Sequence, residues 1–178
     1  MGVTRGDGIF LDEMNTMAVI KTADCTPLFF WDDDYSTGGV IHIGWQGLLK
    51  GIETNLMTLL EKRHIYPGKL HFTMGPAIES KCYEVDPDLY EKFAPRWYRD
   101  MIFSPHGEKP GKYLLDIKKG ISLSLQKSGV PMDRITDVEI CTFCEAEQFP
   151  SYRQDKRNGF TGENCGRIYN FLLLKPDK

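Results

Sequence analysis

Two residues of this chain carry chemistry that their neighbours leave unexplained. Cys25 stands in Thr22-Ala23-Asp24-Cys25-Thr26-Pro27, a polar cluster interrupting apolar runs, which must satisfy its hydrogen bonds internally or use them. A free cysteine in such a place is commonly a small core residue; as a thiolate it is a nucleophile or a metal ligand. His42 stands in Val40-Ile41-His42-Ile43-Gly44-Trp45-Gln46-Gly47. Its apolar neighbours suit a hydrogen-bonded core histidine, whereas the glycines behind it leave space for a group to approach the ring. The two segments are consecutive, and consecutive strands pair or neighbour about two-thirds of the time. Cys25 and His42 can therefore face each other, and zinc takes thiolate and imidazole readily in tetrahedral geometry.

Other chemistry-bearing residues form weaker patterns. Cys141-Thr142-Phe143-Cys144 is a CxxC, but a zinc ribbon needs a second pair and a thioredoxin-like site opens a helix early in a βαβ unit. The pair is read as two incidental core thiols. Trp45, Phe149 and Tyr152 are read as core aromatics. Arg153 and Arg167 are surface charges in type, each beside a glycine or turn former where an anion can be met. Neither a P-loop nor a GxGxxG sequence is present.

The elements that must position these residues follow from the pattern. Met17–Ile20, Leu28–Trp31 and Val40–Ile43 are short apolar runs, the last two separated by Asp32-Asp33-Asp34 and glycines, and read as strands covered on both faces. Leu48 to His64 carries Ile52, Leu56, Leu59 and Leu60 at helical spacing and ends before Pro67-Gly68. Strands are expected at Leu70–Met74, Val138–Cys141 and Ile168–Leu174, with helices at Pro87–Phe93, capped by Asp86, and at Leu115–Ser128. Residues 104–112 form a polar loop and the best linker candidate. Irregular alternation of strands and helices favours an α+β fold.

Composition narrows the function classes. The 178 residues include 41% hydrophobic and 26% charged side chains, as in an ordinary globular protein. A net charge of −3 without a Lys/Arg block argues against nucleic acid as the main partner. No apolar run approaches the roughly 20 residues of a membrane helix, so no membrane partner is expected. The N-terminus lacks the order of a secretory signal. Five cysteines read as free thiols in a reducing compartment, which places the protein in the cytoplasm.

Taken together, these segments resemble the YfiH-like family, long labelled multicopper polyphenol oxidase or laccase-domain proteins and associated with purine nucleoside phosphorylase activity. The matching stretches are Gly6-Asp7-Gly8-Ile9, Thr22 to Pro27, His42 to Gly47, Gly75-Pro76-Ala77-Ile78, Cys82-Tyr83-Glu84-Val85, Leu115-Asp116, Cys141-Thr142, Ser151-Tyr152-Arg153 and Gly166-Arg167. The resemblance implies a mixed-sheet α/β/β/α layered sandwich. It also implies a zinc site and phosphorolysis of adenosine, inosine or methylthioadenosine, sometimes with adenosine deamination. In the family the metal is held by the cysteine of ADC, the histidine of HxGW and a further histidine from an N-terminal segment. The first two map onto Cys25 and His42, with Asp24 expected to orient one of them. Arg153 and Arg167 are expected at phosphate or ribose.

Two positions depart from the family pattern: Gln46 replaces the usual arginine at a substrate-binding position, and Ala77 replaces a usual cysteine. Family members also carry some tens of residues before the position of Asp7, where this chain has six. Residues 1–178 therefore read as a single domain of the family, short at its N-terminus. The alternative is a catalytically impaired member, or a subunit whose metal site a partner chain completes. Zinc is expected ahead of copper, because Cys25 and four histidines are too few for several copper centres. With two ligands only, Cys25 is expected to bind metal weakly and to be a reactive thiol with a lowered pKa.

Overall fold

The computed structural model describes residues 6–160 and 165–176. Apolar, β-branched and aromatic runs become strands where turn formers bound them: β1 (Gly8–Leu11), β2 (Met17–Thr22), β3 (Thr26–Asp32), β4 (Gly38–Ile43) and β5 (Leu70–Met74). The β3–β4 turn is organised by Asp32, whose carboxylate accepts the Ser36 N–H at 2.8 Å, the Ser36 hydroxyl at 2.6 Å and the Thr37 N–H at 3.1 Å. Burial pushes this carboxyl up, but the hydrogen bonds outweigh it and hold its pKa down.

The helix expected over 48–64 is two helices, α1 (Trp45–Lys50) and α2 (Ile52–Lys62). Gly51 breaks them apart at φ +74°, the left-handed conformation that glycine adopts without a Cβ clash. Further along lie β6 (Glu84–Val85), α3 (Pro87–Lys92), α4 (Arg99–Ile102), β7 (Phe103–Pro105) and β8 (Tyr113–Leu115). Asp86 does occupy the N-cap of α3, but its carboxylate pairs with Lys112 and makes no capping hydrogen bond. The 104–112 segment is a hairpin connection rather than a linker, since β7 and β8 pair in one sheet.

The remaining elements are α5 (Ile117–Lys127), β9 (Ile135–Asp137), α6 (Tyr152–Arg157) and β10 (Ile168–Leu173). Helix α5 starts two residues later than expected because Leu115 is drawn into β8, and Asp116 caps it by accepting the Lys119 N–H at 2.9 Å. The strand expected at Val138–Cys141 lies at Ile135–Asp137 instead. There the Asp137 carboxylate accepts the Glu139 N–H at 2.9 Å and Glu139 turns to φ +59°, which ends the strand. Cys141 keeps only an isolated bridge to Ala77.

The main sheet has the order β1-β4-β3-β5-β9, antiparallel except for the parallel β5–β9 pair, so it is mixed, as the α+β expectation required. Leu28, Phe30, Ile41, Ile43 and Phe72 point from one face into a core shared with Leu48, Leu60, Ile121 and Leu125 of the helices. From the other face Val40 and Phe29 pack with Leu11, Ala18, Ile20, Leu172 and Leu174, the side of the β10–β2 ribbon. Each such buried side chain stabilises the fold by roughly 1.5–3 kcal/mol. A helical layer, a mixed sheet and a ribbon thus stack in order, and a smaller β6-β8-β7 sheet flanks them. Among the described residues no helix is long and apolar enough to cross a membrane.

Candidate functional site

Strand register decides where Cys25 and His42 go. Thr26 pairs with Ile43 and Pro27 with His42, so the chain just before β3 brings Cys25 beside Gly44. A Cβ at Gly44 would stand 2.8 Å from the Cys25 sulfur, so the glycine makes room for that side chain. Thr26, Leu28 and Ile43 alternate with them, and Leu28 and Ile43 fill the helix-side core. The pleat therefore turns Cys25 and His42 to the other face, at the same end of neighbouring strands.

Asp7 joins them. Its carboxylate lies 3.4 Å from His42 Nδ1, and its carbonyl accepts the His42 N–H at 2.7 Å. Its charge also reaches Cys25. Burial first, then the Asp24 and Asp7 carboxylates, push the Cys25 thiol up to about 11, against an opposing pull from Arg167. The unmetallated thiol is therefore neutral at physiological pH. This corrects the expectation of a reactive, acidified Cys25: carboxylates and burial outweigh the cation nearby.

Asp24 has a different task from the one expected. It sits at φ +80°, in the left-handed region that aspartate tolerates at some cost. Its Oδ1 accepts the Thr142 hydroxyl at 2.8 Å and its Oδ2 accepts the Arg153 N–H at 2.7 Å. Its carbonyl accepts the Ile78 N–H at 2.9 Å. The carboxylate thus ties the 142–153 segment to the strand end carrying Cys25, and these partners are neither Cys25 nor His42.

Arg153 follows Ser151, which caps α6 by accepting the Gln154 N–H at 3.2 Å. Its guanidinium donates to the Glu84 carbonyl at 2.7 Å and lies 5.0 Å from the centre of the Tyr83 ring. Burial, followed by the charge of Cys25, pushes the Tyr83 hydroxyl up to about 12, so it stays protonated. Beside these groups opens a cavity of about 720 Å³. Cys25, Asp24, Trp45, Tyr83 and Tyr152 face it, and Lys109, Arg153, Lys156 and Arg157 supply its cations.

The structure therefore brings Cys25, Asp24 and Arg153 together in one cavity. His42, on the same sheet face as Cys25, is not among the described lining residues, and neither are Gln46 and Arg167. Gln46 is exposed in the first turn of α1. Arg167 donates to the carbonyls of Cys165 at 3.0 Å and Gly166 at 2.7 Å. Sequence reasoning missed Lys156 and Arg157, although Arg153, Lys156 and Arg157 recur at helical spacing directly after a serine cap. Tyr152, read as core, is exposed and lines the cavity.

The CxxC also needs correction. Cys141 is buried, but Cys144 is exposed, and both meet Cys82 from a turn far upstream. The three sulfur atoms lie within 4.8 Å of one another.

A mixed sheet backed by helices, with a thiol and an imidazole at one end and a cation-rich cavity alongside, defines a small α+β protein. The chain belongs to the family described as multi-copper polyphenol oxidoreductase laccase, which matches residues 2–175. It is 34% identical over 157 residues to a Geobacillus stearothermophilus protein named purine nucleoside phosphorylase YlmD, covering 88% of this chain and 57% of that one. It is 31% identical over 171 residues to an Escherichia coli protein named purine nucleoside phosphorylase YfiH, covering 96% and 64%. The crystal structure of Bacillus licheniformis hypothetical protein YfiH superposes with a TM-score of 0.83 at 32% identity, covering 95% of this chain and 61% of that one. This chain thus spans less than two-thirds of the length of each of these relatives.

Proposed function

We propose that this chain carries the purine nucleoside phosphorylase activity after which its relatives are named. The observation that supports it most is the cavity beside Cys25. Its volume of about 720 Å³ suits a ligand of nucleoside size. Tyr83, Tyr152 and Trp45 offer aromatic surface for a purine, while Arg153, Lys156 and Arg157 offer charge to a phosphate dianion.

In this reading an oxygen of the hydrogen phosphate dianion attacks ribose C1′ as the bond from C1′ to the purine nitrogen breaks, and the proton the phosphate gives up passes to the purine, giving ribose 1-phosphate and the free base. Lys156 and Arg157 hold the attacking dianion. Arg153, fixed by the Glu84 carbonyl and the Tyr83 ring, orients it. Tyr83 keeps its proton at working pH and can donate a hydrogen bond to the substrate. Asp24 holds Arg153 and Thr142 in place as a positioning residue.

Cys25 and His42 would hold zinc, whose chemistry accepts thiolate and imidazole, and the Asp7 carboxylate, 3.4 Å from His42 Nδ1, is a further donor beside them. Zinc there would supply Lewis acidity or an acidified water. The five free thiols fit a reducing cytoplasm.

The test is base release from inosine, adenosine and methylthioadenosine by metal-loaded protein, with and without phosphate. Phosphate-dependent release of base and ribose 1-phosphate supports the reading, and Lys156→Ala should raise the KM for phosphate about tenfold, on the order of one lost charge-assisted contact. Ammonia release from adenosine without phosphate would assign deamination as well. An absence of turnover with zinc bound would leave the impaired or partner-completed alternative.

A further inference from the structure

We propose that Cys82, Cys141 and Cys144 form a second metal site, distinct from Cys25 and His42, that holds a thiophilic d10 cation of the zinc type as a structural cross-link. The three sulfur atoms converge within 4.8 Å, and those of Cys82 and Cys144 are 3.2 Å apart. Zinc–sulfur bonds of about 2.3 Å at tetrahedral angles set sulfurs roughly 3.8 Å apart. Small side-chain rotations therefore bring all three to one ion.

The cluster is assembled by backbone. Cys141 and Cys144 lie in one turn, and Cys82 closes the short 3-10 turn Ser80–Cys82. The two segments are pinned together by the Ala77 N–H to the Ile140 carbonyl at 3.2 Å and the Thr142 N–H to the Ala77 carbonyl at 3.0 Å. The Cys141 sulfur accepts the Glu79 N–H at 3.4 Å, and the N–H groups of Phe143 and Cys144 also face it. Several N–H donors on one sulfur match the support that a metal-bound thiolate receives from its surroundings.

A disulfide explains the arrangement less well. The close pair is Cys82 and Cys144, yet the N–H donors converge on Cys141, which such a bond would leave out. A fourth coordination position would be filled from the cavity of about 320 Å³ that Cys141 and Cys144 border together with Glu79, Asp137, Glu139 and Glu145. Glu79 and Asp137 are each held by Lys118 Nζ at 2.7 Å, which leaves Glu139, Glu145 or water to fill it.

An ion here ties the segment carrying Tyr83 and Glu84 to the one that runs through Thr142 to Arg153. It would brace the wall of the Cys25 cavity without entering it.

The test uses the full chain with Cys25→Ser, reduced and kept anaerobic, titrated with Co²⁺ and Cd²⁺. Thiolate-to-metal charge-transfer absorption should saturate at one equivalent and raise the melting temperature. It should disappear when Cys82→Ser, Cys141→Ser or Cys144→Ser is added. Where such a variant does not fold, metal protection of Cys82 and Cys144 from alkylation, mapped by mass spectrometry in Cys25→Ser, gives the same answer. Absence of charge transfer in Cys25→Ser, its persistence after Cys82→Ser, or a Cys82–Cys144 disulfide forming in the presence of zinc would each overturn the proposal.

Discussion

The strand end at Cys25 and the thiol cluster at Cys141 are joined by a hydrogen bond of 2.8 Å, from the Thr142 hydroxyl to Asp24, yet they treat sulfur in opposite ways. Cys25 is placed by β3–β4 register, and burial first, then the Asp24 and Asp7 carboxylates, push its thiol up to about 11. Cys141 is placed by a turn. Burial pushes it up too, but the N–H groups of Glu79, Cys144 and Phe143 outweigh that and its thiol is lowered. Its neighbour Cys82 goes the other way, to about 12, by burial and then by the hydrogen bond with Cys144. Cys141 thus ionises before Cys82. The difference teaches that burial raises both thiols, that side-chain charge adds to it at the sheet end, and that backbone N–H groups reverse it in the turn.

The largest effect that separates the regions is catalytic. Cys25→Ser and His42→Ala should each lower kcat/KM for phosphorolysis by roughly a hundredfold or more, the scale of losing a metal ligand. Cys144→Ser, at an exposed position of the other cluster, should change it by less than about threefold at temperatures below melting. Steady-state base release checks both, and the opposite ranking would break the comparison.

Alkylation separates them next. At pH 8 a thiol near pKa 11 is on the order of one-thousandth ionised, against about a quarter for an ordinary cysteine. In metal-free native protein Cys25 should therefore label roughly a hundredfold more slowly than a free cysteine peptide under the same conditions, as read by peptide mass spectrometry. Its rate should climb about tenfold per pH unit from 8 to 10. Because the folded pKa lies above the unfolded one, the stability tied to this neutral thiol is fully present below about pH 8.5 and is lost as pH rises toward 11. A plateau in the labelling rate below pH 9 would contradict the burial and carboxylate argument.

The same contrast explains how much was legible in the sequence. Strand register is local and periodic: Leu28–Trp31 and Val40–Ile43, separated by a turn-former cluster, sufficed to bring Cys25 and His42 to one face. The Cys25 cavity was half legible. Arg153 was singled out, but Lys156 and Arg157 needed the α6 cap at Ser151 to be read as a helix start. The thiol cluster was hidden, because Cys82 reaches Cys141 only through the Ala77–Cys141 bridge, a contact between two irregular segments with no period to betray it. Gly51 shows the reverse failure, where a continuous apolar stripe masked a left-handed break.

Steric support of Cys25 gives a smaller effect. Gly44→Ala puts a Cβ 2.8 Å from the Cys25 sulfur, and overpacking of this kind costs about 1–3 kcal/mol. Gly44 has ordinary extended backbone, φ −95°, so the cost comes from the contact alone. Activity should fall about tenfold, because a displacement of the order of 1 Å at a reacting centre has effects up to a hundredfold. A companion Cys25→Ala should restore the melting temperature and leave activity lost.

The smallest effect is the link itself. Thr142 is fully buried and its hydroxyl reaches Asp24 Oδ1, so Thr142→Val removes a hydrogen bond to a carboxylate, a loss of about 1.5–3 kcal/mol in stability before any relaxation. Asp24→Asn keeps a residue that tolerates φ +80°, so its cost reports on the carboxylate's partners rather than on backbone strain. If the two regions communicate through this bond, the double variant should lose less than the sum of the single losses by about 1 kcal/mol, within the usual range for residues in contact. Denaturant melts of the four proteins measure that coupling, and the same four can be titrated with Co²⁺. Weaker thiolate charge transfer in Thr142→Val would show that Asp24 steadies the turn holding Cys141 and Cys144. Strict additivity, with unchanged metal affinity, would mean that the two sulfur regions are neighbours in space and independent in energy.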